Sequence, residues 1–209
     1  MDTLVRSSRC EHGAARRWRR QRRLVLRALA GAAFACTAGA ATVRVAVAEE
    51  ETELERTVKA AFLYKFLNYA EWPASAFADA SSPFVIDVYG ADAIADALTL
   101  LATGRPVAGR PVEVRKLRRG QSLAGAHVLF VGSAASRELP SLAQAMQHDP
   151  LLIVSEEDGA LQLGSCINLL VVNGRVRFDV SLDAAEKSGV KLSSRLLAVA
   201  RSVRNRGEL

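Results

Sequence analysis

The residues after position 48 whose chemistry could build a reaction centre are two histidines, one cysteine and a few acidic groups, and their spacing speaks against most reactions. His127 and His148 belong to no His/Cys cluster with zinc-ligand spacing, and His127 opens an apolar strand, where it reads as a core or strand-end residue. Gly132-Ser133 follows a strand end, a common ligand position in parallel sheets, but it lacks the glycine pattern of a nucleophile elbow. Ser133 is therefore expected to begin the next helix. Gly90-Ala91-Asp92 falls short of a dinucleotide fingerprint. Glu156-Glu157-Asp158-Gly159 offers carboxylates without the alternating oxygen ligands of a calcium loop, and reads as a solvated turn. Cys166, beside a strand, reads as a small buried hydrophobe. No nucleophile is paired with an oriented base, so the chain is expected to bind rather than catalyse, with no metal and no cofactor.

The elements that would position such residues alternate between strand and helix. A capping box of Thr52 and Glu55 opens a helix over residues 52–69. Its apolar face carries Leu54, Val58, Ala61, Phe62, Phe66 and Tyr69, with Glu55 and Lys59 paired on another face. Phe62 and Phe66 are expected in the core. Trp72-Pro73 stops this helix. Strands are predicted over residues 84–89, 112–117, 128–131 and 151–154, the second alternating like an edge strand and the last two apolar enough to be covered on both faces. Helices are predicted over residues 92–101 and 137–147. Residues 167–172 and 175–180 flank Asn173-Gly174 as an antiparallel hairpin, and helical pieces over residues 183–187 and 193–203 close the chain. The fold class is α/β: a mostly parallel sheet flanked by helices, with a C-terminal hairpin and a closing helix.

The formal charge of +6 belongs to the front of the chain. Residues 1–48 hold ten Arg and two acids, which leaves residues 49–209 slightly acidic and without a footprint for a phosphate backbone. Nucleic acid is excluded as a partner on that ground. The leader has the parts of an export signal: arginines from Arg16 to Arg23, an apolar stretch from Leu24 to Ala41, and small residues Ala46-Val47-Ala48 before Glu49. Arg27 and the Ala/Gly content of the apolar stretch favour cleavage over an uncleaved anchor. Residues 49–209 are then one exported domain in the periplasm, with Cys166 as the cysteine left after cleavage.

Val58-Lys59-Ala60-Ala61-Phe62-Leu63-Tyr64-Lys65-Phe66 leading into Glu71-Trp72-Pro73 resembles the opening signature of the YfiR/HmsC-like family. His127-Val128-Leu129-Phe130 fits its middle strand. Residues 164–169, Val176-Arg177-Phe178-Asp179-Val180 with Ala184-Ala185, and Lys191-Leu192-Ser193-Ser194-Arg195-Leu196-Leu197 resemble its closing segment in order and spacing. The resemblance implies a periplasmic regulator that inhibits an inner-membrane diguanylate cyclase bearing a periplasmic sensor region, and so lowers cyclic-di-GMP and biofilm formation. It places the partner contact around Tyr64, Lys65, Glu71 and Trp72. Trp72 itself reads first as a staple of the first helix to the sheet and second as an interface anchor. Ser193, Ser194 and Arg195 read first as a helix N-terminus and second as an anion or ligand contact. The chain departs from the family at Asp87 and Ala126, where relatives often carry cysteines, which takes redox control through that disulfide away. A homodimer stays open, and the rival reading is a periplasmic small-molecule sensor or solute-binding protein with a cleft at the strand ends.

Overall fold

The computed structural model describes residues 53–205; the leader, the proposed cleavage site and Thr52 of the capping box lie outside the described residues. Helix α1 covers residues 53–66, followed by β1 (Ala70–Glu71), β2 (Phe84–Tyr89), α2 (Asp92–Ala102), β3 (Val112–Leu117) and β4 (Val128–Val131). A 3-10 helix (Ser133–Glu138) runs into α3 (Leu139–Ala145), then β5 (Leu152–Ser155), β6 (Ile167–Val172), β7 (Arg175–Ser181), α4 (Leu182–Lys187), β8 (Lys191–Leu192), α5 (Ser194–Val199) and β9 (Ser202–Arg204).

Seven strands form one sheet in the order β3-β2-β4-β5-β6-β7-β9. The first five are mutually parallel, β7 is antiparallel to β6, and β9 is parallel to β7. The α/β reading therefore holds, hairpin included. The apolar run Val128–Val131 and the strand Leu152–Ser155, one residue later than the expected 151–154, are buried throughout, as central strands covered on both faces must be. β3 alternates because it is an edge strand. Right-handed crossovers from β2 out to β3 and from β4 the other way to β5 place α2 and α3 on opposite faces.

Three expectations need correction. Helix α1 ends at residue 66 rather than 69, in a turn made by Asn68 and Tyr69 N–H donating to the Lys65 and Phe66 carbonyls, so Tyr69 is left exposed; Leu54 is exposed as well. The second crossover begins as a 3-10 helix at Ser133, with Pro140 in the first turn of the α-helix that follows. Most consequential, the closing helix stops at Val199 and the chain re-extends as β9. Arg201 fixes that change: its N–H donates to the Phe178 carbonyl, and its guanidinium forms a two-pronged ion pair with the buried Asp179 of β7. These are contacts with a strand some twenty positions upstream, and they outweigh local helix propensity.

Candidate functional site

Two distant segments meet at the end of α1. β1 and β8 pair antiparallel, with Ala70 opposite Leu192 and Glu71 opposite Lys191, and the Ser193 N–H donates to the Tyr69 carbonyl at 2.9 Å. The residues expected to contact a partner and those expected to meet an anion thus form neighbouring parts of one surface.

Within that surface the side chains divide into supports and presented groups. Phe66 is buried and, with Phe62, packs on Phe178 of β7 at centroid distances of 5.4 and 5.6 Å, which seats α1 on the sheet. Tyr64 is half-buried and its hydroxyl donates to the Arg105 carbonyl at 3.0 Å, joining α1 to the segment after α2. Trp72 is half-buried: its ring meets Phe84 edge-on at 5.3 Å and its Nε1–H donates to the His127 carbonyl at 3.1 Å. Those contacts are a staple's contacts. Ser193 caps α5 by accepting from the Leu196 N–H, as its type predicts. Exposed on the same side are Lys65, Tyr69, Glu71, Lys191, Ser194 and Arg195.

Beneath Trp72 lies a box of rings. His127 stacks on Phe77 at 4.5 Å and meets Phe84 edge-on at 5.4 Å, and the Arg110 guanidinium sits 4.0 Å over Phe77. His127 is buried, its Nδ1 accepts from the Val85 N–H at 3.1 Å, and its backbone N–H donates to the Val85 carbonyl. Nδ1 must therefore be unprotonated. Burial pushes the imidazole below its ordinary value, an effect that Arg110 and Arg115 reinforce and the Ala76 carbonyl partly opposes.

A pH dependence follows, with its sign fixed. Below the ordinary histidine value of about 6.5 the unfolded chain binds a proton that the folded chain refuses. Stability from neutral His127 is thus complete above that value and declines as pH falls through it toward the lower folded value. Urea unfolding at pH values stepped downward from about 6.5 should give a shallower pH slope in His127→Gln than in the parent. Equal slopes would show that His127 does not carry the dependence.

At the opposite, carboxyl ends of the strands, sequence reasoning missed a network. Lys59, nearly buried on α1, pairs with Glu55 and reaches Glu156 at 2.7 Å, and Glu156 also accepts from the Ser133 N–H at 3.0 Å. Burial pulls the Lys59 ammonium down, but the hydrogen bonds and charges of Glu156 and Glu55 more than offset it, leaving a net rise. Glu156 is therefore a paired, largely buried carboxylate and not part of a solvated turn; Asp158 and Gly159 remain exposed. The available signal was a lysine between Val58 and Ala60 in an apolar stretch, which needs a carboxylate when its helix is buried.

The cleft that a solute-binding reading would place at the β2/β4 switch point is occupied by backbone. Gly132 N–H donates to the Tyr89 carbonyl at 2.8 Å, and a Cβ on Gly132 would stand 2.7 Å from the Gly90 carbonyl oxygen. Gly90, at φ +72°, would press a Cβ to 2.6 Å from that of Ala135. Both glycines exist here for close approach.

Asp87 is fully buried and takes a bidentate ion pair from Arg115 of β3 at 2.6 and 2.9 Å, and Arg115 also donates to the Ala124 carbonyl at 3.3 Å. Cys166 is buried and free, with burial pushing its thiol up to about 11. Among the described residues no helix is long and apolar enough to cross a membrane, and no group of His, Cys, Asp and Glu is placed to hold a metal. The family model described as YfiR/HmsC-like matches residues 56–201, from within α1 to the residue before β9.

Proposed function

The chain belongs to the YfiR/HmsC-like family, and from that premise we propose that it is a periplasmic regulatory protein that inhibits an inner-membrane diguanylate cyclase and so lowers cyclic-di-GMP and biofilm formation. It works by binding, not by turnover. The observation that carries the reading is the β1/β8 pairing, which gathers the family's opening and closing signatures onto one face. Tyr64 and Trp72 tie this region to the Arg105 and His127 backbone, while Lys65, Tyr69, Glu71, Ser194 and Arg195 are exposed and offer an aromatic ring, charge and a hydroxyl. An exposed aromatic ring together with exposed charges suits recognition of a folded sensor region. Export by the leader brings the domain to the compartment where such a region lies.

Deleting the gene should raise cellular cyclic-di-GMP several-fold, and the rise should vanish when the cyclase is deleted too. Measuring the nucleotide in extracts of the single and double deletion strains tests this. Unchanged levels in the single deletion, with the cyclases expressed, would refute the assignment.

A further inference from the structure

A concave surface lies beside α3 and α4. It opens at the amino ends of β5 and β6, between α3 and α4, and has a volume of about 510 Å³. That lies within the ~300–1,000 Å³ of small-molecule sites. Met146, Leu161 and Leu163 give it an aliphatic wall with the buried Cys166 beside them, Gln144, Gln147 and Ser188 bring polar groups to the rest of the lining, and no aromatic ring contributes. Leu163 is 39% exposed, apolar surface that an occupant would cover. Lys187 and Arg204 also line the cleft, against Asp183 as the one acidic group. Neither cation forms an ion pair among the described residues. Arg204 is held toward the cleft by donating to the Gln162 side-chain oxygen in its hydrogen-bonding orientation.

We propose that this cleft binds a medium-chain aliphatic carboxylate, the chain lying along Met146, Leu161 and Leu163 and the carboxylate meeting Lys187 and Arg204. Without an aromatic platform the walls offer a sugar or planar ring nothing to stack on, whereas branched side chains and a thioether conform to a flexible alkyl chain. The surplus of one positive charge selects an anionic head over a neutral one, and the guanidinium fork matches a carboxylate.

Isothermal titration of protein purified from the periplasm, with decanoate kept below micelle-forming concentration, tests the proposal, with decanol as the uncharged match. Saturable decanoate binding is expected, weakened about ten-fold or more in Lys187→Ala/Arg204→Ala and in Leu163→Asp, with decanol about ten-fold weaker than decanoate in the parent. Leu163, Lys187 and Arg204 are exposed, so these variants leave the core untouched, and a melting curve for each verifies its fold. Absence of saturable decanoate binding, equal affinity for decanol, or undiminished decanoate affinity in the double variant would overturn the assignment.

Discussion

Arg115→Ala is expected to lower the free energy of unfolding by about 3 kcal/mol, because it leaves the Asp87 carboxylate uncompensated in the interior. Arg115 is itself about one-third open to water, which places the loss at the lower end of the ~3–5 kcal/mol range for broken buried pairs. Replacing both partners, in Asp87→Leu/Arg115→Leu, should recover most of the loss, since no charge is then buried. Urea denaturation of the parent, the single and the double variant decides the matter. A double variant as unstable as the single would mean that Arg115 acts through packing of its stem and not through the pair. The position gives the pair its interest. Arg115 links β2, β3 and the segment before β4 by touching Asp87 and Ala124 together. An ion pair that redox chemistry does not touch does the cross-linking here.

How far such features can be read from the sequence depends on whether their cause is local. Strands β2, β3 and β4 were legible to the residue, because period-2 alternation and apolar runs report directly how many faces are covered. The hairpin was legible from Asn173-Gly174, both of which adopt positive φ. What escaped had causes elsewhere in the chain. β9 exists because Arg201 finds Asp179, and nothing between Ser194 and Val203 announces that partner. β1 and β8 are two residues each and have no pattern to read; their pairing appears only once α1 and α4 are docked. Glu156 looked solvated beside Glu157 and Asp158, since the lysine that claims it lies far upstream. The candidate site was legible as two separate clusters, and the fold supplied their adjacency.

Support and recognition can be separated within that surface, and Trp72→Ala is the sharpest case. The side chain is half-buried, packs edge-on against Phe84 and gives its Nε1–H to the His127 carbonyl. Truncation should cost about 2–3 kcal/mol, less than the ~3–5 of a fully buried aromatic. Trp72→Phe keeps a ring against Phe84 and forfeits mainly the hydrogen bond, at about 1 kcal/mol. Lys65→Glu and Glu71→Lys alter exposed positions, so stability should stay within about 0.5 kcal/mol of the parent. If this face meets the cyclase, each of those reversals should weaken binding to its periplasmic region by about ten-fold, mostly through association and more so at low salt. Measuring melting curves and binding kinetics on the same preparations separates the roles. A Trp72→Ala protein that melts like the parent yet binds poorly would make Trp72 an anchor and not a staple. Charge-reversed variants that bind and inhibit like the parent would move the contact off this face, while leaving the regulatory assignment to stand on cyclic-di-GMP levels in the deletion strain.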